Sequence, residues 1–154
     1  MNVDQEHVHD QSVSSCGCTF DEPISLGKLQ SWISDLISTK ANDLYRYKGV
    51  INIVGMDSPY VFQGVHMLFT GNFIENGWPE NKPRQTYFCF IGKNIDREYL
   101  INGFKNCVAS KLSYSIGDKV ECKVAAGPNG WKEGVIIALW DEGNAYRIKL
   151  ENGT

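Results

Sequence analysis

The chain has 154 residues, 42% of them hydrophobic and 21% charged, which is enough for one ordinary domain or two small ones with a buried core. Its formal charge of -3, from 15 basic against 18 acidic side chains, excludes the basic surplus that nucleic-acid binding normally shows. The first residues are polar and acidic where a secretory leader needs a basic start and an apolar run, and no stretch reaches membrane-spanning length, so a soluble, cytoplasmic protein with neither nucleic acid nor membrane as partner is expected.

Residues 1–11, with His7 and His9 among polar neighbours, read as a flexible His-containing tail. Residues 12–20 have the spacing of a strand, with Cys16, Cys18 and Phe20 on one side. Ser25 is placed to cap a helix in which Leu26, Leu29, Ile33, Leu36 and Ile37 recur at helical spacing, running to about Lys40. Residues 47–56 and 60–70 are expected as strands turned by Asp57-Ser58-Pro59, and 84–92 as a strand after a loop rich in Asn, Gly and Pro. Asn94 or Asp96 then caps a helix with Leu100, Phe104, Cys107 and Val108 on one face.

The order of strand, helix, three strands and helix predicts an α+β fold, an antiparallel sheet with two helices on one face. The runs 60–69 and 84–92 are apolar on both sides, so the face without helices calls for a cover from outside this chain. After Ala109 the texture changes. Residues 119–124, 131–140 and 145–150 alternate as short strands between glycine turns at 127–130 and 141–144, a small all-β barrel left incomplete by having three strands.

His7, His9, Cys16 and Cys18 form a cluster of soft and borderline ligands. Two imidazoles from the tail folding onto two thiols of one strand face would complete a tetrahedral zinc set; the plain alternative is a solvated tail beside two small strand residues. His66 is expected mid-strand, bonded to a neighbour. Arg46, Lys48 and Gln63, with His66, are the polar candidates for an interface. Five cysteines without a secretory leader read as thiols, Cys89 and Cys107 as core. No thiol has a base assigned beside it, so no catalytic residue is expected. Trp131, Trp140 and Tyr146 suit an aromatic cage for a methylated amine, assisted by Glu133 or Asp141; Trp131 and Tyr146 suit a plain barrel core as well.

The runs Asp43-Leu44-Tyr45-Arg46-Tyr47-Lys48-Gly49-Val50 and Val61-Phe62-Gln63-Gly64-Val65-His66-Met67-Leu68-Phe69 resemble the C-terminal domain of CobW-type metallochaperone GTPases, close to their eukaryotic zinc-chaperone-like branch. So do Ser12-Val13-Ser14-Ser15, Phe90-Ile91-Gly92-Lys93-Asn94-Ile95-Asp96-Arg97 and Gly103-Phe104-Lys105-Asn106-Cys107. The resemblance spans Asp10 to about Val108. It implies a ferredoxin-like fold, a role in metal delivery with zinc as the metal, and a CobW-type GTPase domain as partner in cis or in trans, with a metalloprotein client beyond it. The family's phosphate-binding run, G-x-x-x-x-G-K followed by Ser or Thr, does not occur in this sequence, so neither nucleotide binding nor enzyme activity is expected of it. The resemblance thus implies a piece of a longer GTPase.

Gly117-Asp118-Lys119-Val120-Glu121-Cys122, Trp131-Lys132-Glu133-Gly134 and the run from Tyr146 to Thr154 resemble a Tudor- or Agenet-like small barrel. The expected organisation is a tail at 1–11, a CobW C-terminal-like domain at 12–109 and a partial Tudor-like barrel at 114–154. The leading expectation is a non-catalytic accessory domain; the alternative is a Tudor-like binding module or scaffold acting through its C-terminal barrel.

Overall fold

A computed structural model describes residues 13–151. Its first unit comprises β1 (Ser14–Phe20), α1 (Leu26–Lys40), β2 (Leu44–Ile51), β3 (Tyr60–Val65), β4 (Leu68–Phe73), β5 (Thr86–Gly92) and α2 (Arg97–Lys105). The strands form one antiparallel sheet in the order β1-β5-β2-β3-β4. This is the expected α+β fold with both helices on one face, carrying one strand more than the sequence reading gave it.

Alternation decides which side of the sheet is buried. Cys16, Phe20, Tyr47, Ile51, Tyr60, Phe62, Phe88 and Phe90 turn to the helices and meet Leu29, Ile33, Leu36, Leu100 and Phe104. Each large side chain so buried contributes about 1.5–3 kcal/mol over leaving it in water. Aromatic rings dominate this layer: Phe104 stacks on Phe88 with centroids 4.2 Å apart and on Phe20 at 5.7 Å, and Trp32 stands edge-on to Phe90 and Phe104. Room for the rings comes from glycines. Gly49 pairs with Phe62 and Gly64 with Tyr47, and a Cβ on either glycine would fall inside the ring of its partner.

The helix ends follow their capping residues. Ser25 stands at the start of α1 without a side-chain capping bond, whereas the Asp96 carboxylate accepts from the Tyr99 amide at 2.9 Å to start α2. Ile24 bridges to both Ile53 and Val108, so the segment before α1 is laced to the chain after β2 and to the chain after α2.

The expected single strand at 60–70 is instead a hairpin. His66, with φ of 52°, and Met67 turn the chain, and Val65 pairs directly with Leu68. Such a turn exchanges the parity of the two strands. Phe69 therefore joins Phe62 on the helix side, while Leu68 joins Val65 on the other, contrary to a reading that continued one alternation through the run. His66 is thus an exposed turn residue rather than a mid-strand one. The strand expected at 47–56 also lies earlier, at β2, with a bulge between Leu44 and Arg46.

The second unit is an antiparallel sheet of β6 (Lys119–Lys123), β7 (Trp131–Asp141) and β8 (Asn144–Leu150) in that order. Glu142 and Gly143, with φ of 49° and 80°, make the tight β7–β8 turn, the positive pair that suits the twist of a hairpin.

Candidate functional site

The helix-free face of the larger sheet is laid out by register in three rows. Cys89, Lys48, Gln63 and Thr70 stand side by side in the middle row, next to Gly17 of β1. Ile91, Arg46, Val65 and Leu68 form the row on one side; Tyr87, Val50 and Val61 form the row on the other. Two hollows of about 390 and 410 Å³ lie on either side of the middle row, and Lys48, Gln63 and Cys89 line both. The helices lie on the opposite face, and Val65, Leu68, Tyr87 and Ile91 remain exposed with the second sheet present.

Three of the four interface candidates therefore come together. Arg46, Lys48 and Gln63 share this face. His66 does not: its ring is tilted against Tyr45 at 5.6 Å, and its Nδ1 lies 3.5 Å from the Ala41 carbonyl, at the edge of the sheet. Arg97 is a fold residue, donating to the Ser15 carbonyl at 2.8 Å and so tying α2 to β1. Cys89, expected in the core, is half-buried on the open face, whereas Cys107 is core as expected. The sequence showed Tyr87, Cys89 and Ile91 as a second apolar side of their strand, but which faces of separate strands coincide is a matter of register.

The candidate zinc ligands divide differently. His7 and His9 lie outside the described residues. Cys16 and Cys18 do share a strand face, but it is the helix-covered one: Cys16 is fully buried and Cys18 half-buried. Burial raises the Cys16 thiol above its ordinary range, with the Arg97 charge opposing the rise, so its thiolate is disfavoured. Among the described residues no group of three His, Cys, Asp or Glu side chains converges as a metal site. A zinc ion approaching from solvent thus meets Cys18, and meets Cys16 only if β1 opens.

The aromatic cage is not assembled. Trp131 and Trp140 stand at opposite ends of β7, nine residues and so roughly 30 Å apart along the strand. The Tyr146 hydroxyl is occupied in the fold, accepting from the Ser113 and Tyr114 amides at 2.9 and 3.2 Å.

These observations define an α+β domain whose sheet is helix-covered on one side and, among the described residues, bare on the other, with two cations on the bare side. The chain belongs to the CobW C-terminal domain family: the family model described as "Cobalamin synthesis protein cobW C-terminal domain" matches residues 13–108. The zinc chaperone YjiA of Escherichia coli strain K12 is 29% identical over 92 residues, covering 60% of this chain and 28% of the relative. The crystal structure of Zn(II)-bound YjiA GTPase from E. coli matches with a TM-score of 0.59 and 25% identity, covering 63% of this chain and 30% of that one. A Zn(II)-bound triple mutant of YjiA GTPase matches with a TM-score of 0.58 and 27% identity over the same shares. The chain thus spans less than a third of these relatives, and the three-stranded sheet lies beyond the family match. No helix among the described residues is long and apolar enough to cross a membrane.

Proposed function

We propose that residues 13–108 act as a non-catalytic accessory domain in zinc delivery by CobW-type GTPases, in the cytoplasm. The domain packs against a GTPase module, carried in the same polypeptide or supplied by another, and through it serves a metalloprotein client. Nucleotide chemistry belongs to that module, and this chain contributes a surface. Family membership sets the frame. The observation that carries the reading is the bare sheet face with Arg46, Lys48 and Gln63 at its centre, since a face of this apolar content is ordinarily covered. Zinc on this chain itself, through His7, His9, Cys16 and Cys18, is proposed as weak and exchangeable, because the Cys16 thiol sits in the core. The Tudor-like reading of the C-terminal sheet has less support, its two tryptophans standing at opposite ends of β7 and the Tyr146 hydroxyl on β8 being taken by the Ser113 and Tyr114 amides.

The test is calorimetric titration of the full chain with the GTPase module of a CobW-type protein. Binding by the wild type, weakened about tenfold or more in Arg46→Glu with Lys48→Glu, supports the assignment. Equal binding by both proteins would move the contact off this face.

A further inference from the structure

The identity of the face as an interface, taken from the reading above, leaves open the chemistry of what covers it. The five strands of the larger sheet contain no Asp or Glu, and their charged side chains are Arg46 and Lys48, both on β2 and both facing the open side. This stands out in a chain with more acidic than basic residues. Opposite charges across strands stabilise a sheet, yet the neighbours here are neutral: Ile91 beside Arg46, Gln63 and Cys89 beside Lys48. The ion pairs among the described residues lie elsewhere, joining Arg84 to Asp57 and Arg147 to Asp141 and Glu142. Around the two cations the surface is apolar, with Val65 47% and Tyr87 46% exposed.

We propose that this face receives an acidic amphipathic helix of the partner protein, its apolar stripe on Val65, Ile91 and Tyr87 and two of its carboxylates, one turn apart, on Arg46 and Lys48. Positions two apart on a strand are separated by about 6.6 Å, and positions four apart on a helix by about 6 Å, so one pair of carboxylates can meet both cations. A helix here gives the sheet a second covering layer, the arrangement that two-sided apolar strands require. Exclusion of water by the flanking rows strengthens each ion pair. Nucleic acid fits poorly, since two cations neutralise little phosphate and the apolar rows would stay in water. A second copy meeting this face two-fold would set like charges against each other.

The experiment is NMR titration of the ¹⁵N-labelled full chain with a synthetic 20-residue helical peptide bearing a Leu stripe and Glu pairs four apart, beside its Gln-for-Glu and Lys-for-Glu counterparts. The expected result is shifts confined to β2, β3 and β5, binding about tenfold weaker for the Gln peptide and lost for the Lys peptide. Arg46→Met with Lys48→Met should keep the folded spectrum and lose the discrimination between Glu and Gln peptides. No shifts with the Glu peptide, equal binding of the Lys peptide, or a single-stranded oligonucleotide producing the same shifts more tightly would overturn the proposal. If the GTPase module still maps to this face in those cases, the interface reading stands and only the acidic-helix assignment falls; if the module also misses the face, both fall.

Discussion

Tyr47, in the middle of β2, fixes a turn two strands away. Its ring lies over Gly64, and its hydroxyl donates toward the carbonyls of His66 and Leu68 at 3.3 and 3.2 Å, so the β3–β4 turn is held from beneath. Tyr47→Phe keeps the ring and removes these bonds, and is expected to cost about 1 kcal/mol in urea unfolding with an unchanged slope. Cys107 gives a pH signature. Burial pushes its thiol from the ordinary 9.0 up to about 11, so the folded chain holds that proton more tightly than the unfolded chain. Its stabilising contribution is therefore complete below about pH 9 and is lost as pH rises toward 11, on the order of 2 kcal/mol, and Cys107→Ala should flatten that slope in denaturation between these limits. Zinc affinity runs the other way, falling below about pH 6.5 as any participating imidazole protonates. Titration of the wild type beside Cys16→Ser with Cys18→Ser measures the share of the thiols, and equal binding would remove them from the metal chemistry. Alternation in the sequence put Cys16 and Cys18 on one face; it could not tell that this face is the one the helices cover, because both faces of the neighbouring strands are apolar.

At the scale of elements, both helices were legible in the sequence because each has a capping residue and a regular apolar stripe, and the structure starts them after Ser25 and Asp96. The β3–β4 hairpin was not. Its turn at His66 and Met67 contains no Gly, Pro, Asn or Asp, and apolar residues flank it closely on both sides, Val65 before and Leu68 and Phe69 after. Such a run reads as one long strand, and the parity exchange at Val65 and Leu68 then misassigns Phe69 and Leu68. The positive φ at His66 carries its own test. His66→Gly should leave stability equal or slightly higher, whereas His66→Val, β-branched in a left-handed position, should lower it by about 1 kcal/mol or more. Thermal melting of the two variants checks this; equal melting temperatures would deny the turn its conformation.

For the whole molecule, the sequence reading already held that one sheet face needs a cover, since the runs at 60–69 and 84–92 are apolar on both sides. Only the register shows what that face presents. It brings Arg46 and Lys48 of β2, Gln63 and Val65 of β3, Leu68 of β4, and Cys89 and Ile91 of β5 into two adjacent rows. Sequence distance separates these residues by up to 45 positions, from Arg46 to Ile91, and no local pattern reveals such a convergence. The family match ends at residue 108, so the account assigns the GTPase contact to the first sheet and none of it to β6, β7 and β8. The most direct test is hydrogen exchange of the full chain with and without a CobW-type GTPase module, read peptide by peptide. The account predicts slowed exchange in peptides covering Arg46 to Ile51, Tyr60 to Val65 and Thr86 to Gly92; slowing confined to residues 114–151, with the larger sheet unchanged, would contradict it.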